Sequence, residues 1–155
     1  EQAAFNCNIL GSLLADPMRQ AAPVEYQSID SNALLENCLE AIATEASSTA
    51  RGRYYLQLGR GYLKAGNSAS AILSFKTSVS LGYPAGYFAL GVTYLLGDDI
   101  EKDDQKARKY LLKALDSNVH WASKALSELH GNPMSRFYDI NLSNEYQAMF
   151  ENNFE

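Results

Sequence analysis

The sequence predicts an all-α chain built from antiparallel helical pairs, and three observations carry that reading. Apolar residues recur at steps of three and four along almost every segment, with none of the sustained period-two alternation that a half-buried strand requires. From Arg51 onward a run of small and apolar residues returns after 32 to 36 residues, as in repeat proteins. Within the repeating units, glycine or asparagine stands near each expected helix end, where it can take the left-handed conformation that stops a helix.

The first helix is expected over roughly Ala3 to Ala15, with Phe5, Ile9, Leu10, Leu13 and Leu14 on the inward face, stopping before Asp16-Pro17. An irregular link with prolines at 17 and 23 follows. The second helix starts after Asp30 or Ser31, either of which is a suitable N-cap, and runs to about Glu45. Leu34, Leu35, Cys38, Leu39 and Ile42 face inward. Cys7 and Cys38 fit neither a C-x-x-C motif nor a metal cluster, so a disulfide tying these two helices is the favoured reading and points to an oxidising compartment. Two buried thiols acting as small hydrophobes is the alternative.

From Arg51 onward the chain repeats. Leu58-Gly59-Arg60-Gly61-Tyr62-Leu63 returns as Leu90-Gly91-Val92-Thr93-Tyr94-Leu95, and Gly91 lies 32 residues after Gly59. Ala71, Phe75, Val79 and Gly82 return as Ala107, Leu111, Leu115 and Asn118, now 36 residues on. The difference of four sits in the turn, which is short at Ala65-Gly66-Asn67 and long at Gly97 to Asp103. Each unit reads as a helical pair, with Gly66, Gly82, Gly97 and Asn118 as stops, Pro84 at the start of the next helix, and Ser68 and Asp103 or Asp104 as N-caps. A third unit begins at Val119 and reaches only His130-Gly131. In the tail, Leu142, Tyr146, Met149 and Phe150 make one apolar face of a short docked helix capped by Ser143.

The ordered run Leu90-Gly91-x-x-Tyr94-x-x-Gly97, then Ile100-x-x-Asp103, then Ala107-x-x-Tyr110-x-x-Lys113-Ala114 resembles a Sel1-like repeat, a relative of the tetratricopeptide repeats. The similarity covers Arg51 to Gly131. The lead-in through Tyr54-Tyr55-Leu56-Gln57-Leu58-Gly59-Arg60 resembles that of exported bacterial members. The resemblance implies a short right-handed α-α solenoid, with capping helices over 1–50, repeats over 51–83, 84–118 and a partial 119–131, and a tail over 132–155, all in one structural domain. It also implies a periplasmic or otherwise exported protein, and it assigns Tyr62 and Tyr94 to packing. A chain that begins at Glu1 fits a trimmed or processed product.

Thirteen basic against eighteen acidic residues give a net charge of -5, which offers no general attraction to a nucleic acid or an acidic membrane surface. The longest apolar stretches fall short of the roughly 20 residues of a membrane-spanning helix. His120 and His130 stand ten residues apart, a spacing that does not set both on one helical face within ligand reach. Asp98-Asp99 and Asp103-Asp104 lack the spacing of a calcium loop and read as caps and turn charges. Gly59-x-Gly61 falls inside a helix rather than before one, which suits helix packing and not a phosphate loop. No serine lies in G-x-S-x-G. The chain is therefore expected to need no cofactor and no metal, and to be no enzyme.

The binding candidates are surface aromatics and one basic stripe. Tyr55 and Tyr87, also 32 apart, match no position fixed by the repeat pattern and suit surface anchors. Arg53, Gln57, Arg60 and Lys64 follow one helical face, either as an ordinary solvated surface or as an anchor for a carboxylate-rich partner. The corresponding face of the next units brings Val92 and Trp121, extending that edge toward an apolar one. The expected function is a non-catalytic adaptor or scaffold of the bacterial envelope that holds a protein partner on the concave face of the solenoid. An inhibitor that neutralises a toxin or enzyme is the second reading, and an enzyme acting on envelope polymers is a remote third.

Overall fold

A computed structural model describes residues 1–98 and 100–153. Among these the chain is all helical: α1 (Gln2–Gly11), α2 (Ser31–Thr44), α3 (Ser48–Lys64), α4 (Ser68–Ser80), α5 (Ala85–Leu96), α6 (Asp104–Asp116), α7 (Trp121–Gly131) and α8 (Ile140–Asn152), with a single 3-10 turn at Tyr26–Ser28 in the link. No helix among the described residues is long and apolar enough to cross a membrane. The fold gathers into two compact units, Glu1–Gly86 and Tyr87–Glu155.

In the first unit, α3 is the central helix and packs against α1, α2 and α4. Cys7 and Cys38 are joined by a disulfide across α1 and α2, with Cα atoms 4.9 Å apart and both residues fully buried. Ala3, Cys7, Ile29, Leu34, Cys38, Ala41, Tyr54 and Leu58 form the core around it. The bridge sets which face of α1 points in, and that face carries Ala3, Cys7 and Gly11. The expected apolar face is therefore wrong in part: Phe5, Ile9 and Leu14 are exposed, as is Leu39 on α2. Small residues win because α1 lies close to its neighbours, and a Cβ on Gly11 would stand 2.6 Å from Leu34 Cδ1. The helix also ends earlier than expected, because the chain turns at Ser12 and the carbonyls of Gly11 and Ser12 are taken by Arg60.

The repeat seen in the sequence has a structural counterpart within each unit. Gly59 on α3 faces Phe75 on α4, and Gly91 on α5 faces Leu111 on α6, where a Cβ at Gly91 would stand 2.6 Å from Leu111 Cγ. Leu58 and Leu90 are both buried, as are Ala71 and Ala107. The four expected helix stops, Gly66, Gly82, Gly97 and Asn118, all have positive φ. Asn118, at φ 66°, does without the freedom of glycine, which fits the tolerance of asparagine for this region.

The caps agree with expectation in part. Asp30 accepts from the Ala33 amide and Asp103 from the Lys106 amide. Asn67, not Ser68, caps α4, and Asp139, not Ser143, caps α8.

The second unit has its core in Leu111, Ala114, Val119, Ala122, Ala125, Leu126 and Leu129. Here the tail completes a third helical pair, α7 with α8. Ser127 Oγ donates to the Ser143 carbonyl at 2.8 Å, and Ser143 Oγ donates back to the Ser127 carbonyl at 2.7 Å. Ser143 is thus an interior residue of α8, small enough to stand against Gly131.

Candidate functional site

The stripe Arg53, Gln57, Arg60, Lys64 exists, but it is turned toward the chain's own N-terminal segment. Arg53 Nε donates to Asn8 Oδ1 at 3.2 Å, and Gln57 Nε2 donates to Asn8 Oδ1 at 3.2 Å and to Cys7 Sγ at 3.1 Å. The guanidinium of Arg60 donates to the carbonyls of Gly11, Ser12 and Val24, each at 2.8 Å. Lys64 Nζ reaches the Gln27 carbonyl at 3.4 Å and lies over the Tyr26 ring. Gln57 and Arg60 are buried, so neither is a surface anchor. The cause is the central position of α3: a helix covered by three others has no broad solvated face, and its polar residues must find partners inside.

Arg60 is a buried cation facing three carbonyls, two of them (Gly11 and Ser12) at the C-terminus of α1, the end whose dipole favours positive charge. Burial lowers its pKa to about 10, which leaves it charged at neutral pH. A second buried polar group lies in the same unit. Asp16 Oδ2 accepts from the Tyr83 hydroxyl at 2.6 Å and Oδ1 accepts from the Met18 amide at 2.8 Å. Burial raises the Asp16 carboxyl above the usual value, while the Tyr83 and Met18 hydrogen bonds and the charges of Arg53 and Arg19 pull the other way. The Tyr83 hydroxyl is pushed up by burial and by Asp16.

The remaining sequence candidates differ in availability. Tyr55 is half-buried against the core of the first unit. Val92 packs on the core of the second unit, and Trp121 meets Phe150 edge to face at 4.9 Å. His120 is exposed, whereas His130 is buried. The His130 ring stacks on Tyr146, and Nδ1 lies 2.8 Å from the Phe137 carbonyl, which can only accept, so this nitrogen carries the proton. Among the described residues no group of three or more His, Cys, Asp or Glu is placed to hold a metal. Of the acidic turn, Asp103 is a cap and Asp104 pairs with Lys102, while Asp99 lies outside the described residues.

Tyr87 belongs to a surface that the sequence reading did not assemble. The Tyr87 and Tyr110 rings stack with centroids 6.4 Å apart, and Tyr110 stacks on Tyr94 at 6.1 Å, making a ladder across α5 and α6. Three exposed lysines lie over it: Lys106 is 5.1 Å from the Tyr94 centroid, Lys109 5.7 Å from Tyr110, and Lys113 5.6 Å from Tyr87. Tyr87 and Tyr110 are half-buried. Their hydroxyls have no hydrogen-bond partner among the described residues, and none of these lysines has a carboxylate within ion-pair distance there. The signal was present in the sequence, because Lys106, Lys109, Tyr110 and Lys113 follow the same spacing of three and four as the stripe on α3. Here it lies on a helix that retains a solvated face.

No family profile, no curated protein and no solved structure matches this chain.

Proposed function

We propose that this chain is a non-catalytic, protein-binding module of Sel1-like helical repeats, exported to an oxidising compartment such as the bacterial envelope, where it serves as an adaptor or scaffold. The observation that carries the binding reading is the Tyr87–Tyr110–Tyr94 ladder with Lys106, Lys109 and Lys113 over it. Half-buried tyrosines give a partner a large, stiff contact area with a polar tip, which is why such residues are enriched at interfaces. The partner surface accordingly moves from α3 to the α5–α6 pair. The Sel1-like reading is supported by the matched close approaches, Gly59 against Phe75 and Gly91 against Leu111. The disulfide supports the compartment. The arrangement of the helical pairs as successive turns of a right-handed solenoid belongs to the same proposal, and small-angle scattering tests it.

The binding reading is tested by affinity capture from the native source with wild type and with Tyr87→Ser/Tyr110→Ser. A partner that is retained by wild type, lost by the variant and rebound when both proteins are purified supports the reading. Equal capture by both removes this face from the function.

A further inference from the structure

We infer that the α5–α6 face recognises a short acidic segment of a protein partner, its carboxylates meeting Lys106, Lys109 and Lys113. This deepens the proposed function and rests on its placing of the partner on this face. The three lysines occupy one side of α6, and the seven residue steps from Lys106 to Lys113 correspond to about 10 Å along a helix. An extended chain covers that length in about three residues, so four or five residues of partner suffice to engage all three charges.

Each ammonium group stands over a tyrosine ring, which favours the cation there and restricts the side chain before any partner arrives. The hydroxyls of Tyr87 and Tyr110 add donors suited to carboxylate oxygen or main-chain carbonyl.

The ends of the stripe decide between an acidic peptide and a nucleic acid. Asp103 and Asp104 lie at the start of α6 and Asp116 at its end, so the positive surface is bounded by acids on both sides. A brief acidic stretch fits between them. A polyphosphate backbone continues past the lysines, meets those carboxylates and then the net charge of -5 carried by the chain.

The experiment is fluorescence anisotropy on the purified whole chain with three labelled probes: a ten-residue peptide alternating Glu and Ala, its Gln–Ala counterpart, and a ten-nucleotide single strand. The Glu peptide is expected to bind with an affinity that falls with added salt. Lys106→Glu/Lys113→Glu should weaken it about tenfold, since each exposed ion pair contributes only a modest amount. Arg19→Glu/Lys76→Glu makes the same change in net charge at exposed positions elsewhere and should leave binding unchanged. Circular dichroism confirms that both variants remain helical. Equal binding of the Glu and Gln peptides, equal loss in both charge variants, or tighter binding of the nucleotide strand each overturns the inference. If the captured partner is lost from Tyr87→Ser/Tyr110→Ser while the Glu and Gln peptides behave alike, the acidic chemistry fails and the site on this face stands.

Discussion

Arg60 donates to three main-chain carbonyls from one guanidinium, and no single-point donor reproduces that fork. Arg60→Leu should therefore cost about 2 to 4 kcal/mol, because it strands acceptors at the end of α1. Arg60→Lys should recover only part of that loss, and urea denaturation measures both. Asp16 gives a prediction with a defined sign. Its carboxyl is raised above 3.8 in the folded chain, so its contribution to stability is fully present below that pH and is lost as pH rises through the folded value. Relative to wild type, Asp16→Asn should thus gain stability as the pH is raised above 3.8, and a difference that stays flat as the pH rises would sink the assignment. None of this was legible in the sequence. Spacing reports which residues share a face and says nothing of what the face meets, so Arg60 read as surface while Asp16 read only as the residue before a proline.

At the scale of the helix, most of the architecture was written in the small residues. Gly59 and Gly91 marked where one helix of a pair lies closest to the next, and the four stops marked where each helix ends. Gly91→Ala opposes two effects: about 1 kcal/mol gained in helix propensity against about 1 to 3 kcal/mol of overpacking on Leu111. The backbone nitrogen of Leu111 would also lie only 3.2 Å from the new carbon, which favours net destabilisation. In a double-mutant cycle, Leu111→Ala should be less costly beside Gly91→Ala than alone, because the added methyl enters the space vacated by leucine. Strict additivity would mean that the pair does not touch. What spacing could not resolve was the identity of the solvated helix. The patterns on α3 and α6 are alike in sequence, yet one helix is enclosed by three neighbours and the other keeps three lysines in water. Ser127 and Ser143 hid the third pair for a related reason, since this hydrogen-bonded serine contact stands where the earlier pairs carry a glycine against a large apolar side chain.

Across the whole molecule, the one covalent cross-link lies in the first unit and closes a separation of 31 residues. By the chain-entropy argument its removal should cost about 3 to 4 kcal/mol. Cys7→Ala/Cys38→Ala is expected to speed amide exchange chiefly in α1, α2 and α3, and an effect centred on α7 and α8 would contradict that placement. The bond between Asp16 and Tyr83 spans 67 residues, and Arg60 reaches back 49 to Gly11. On a ribosome or at a membrane exit, the N-terminal stretch must therefore emerge and linger without its final partners until α3 and the turn after α4 follow. Cys7 and Cys38 are both made before Arg60, so in an oxidising compartment their disulfide can form early as a tether that keeps the leading helices together. Reductant present during synthesis should harm yield more than reductant added to the finished protein.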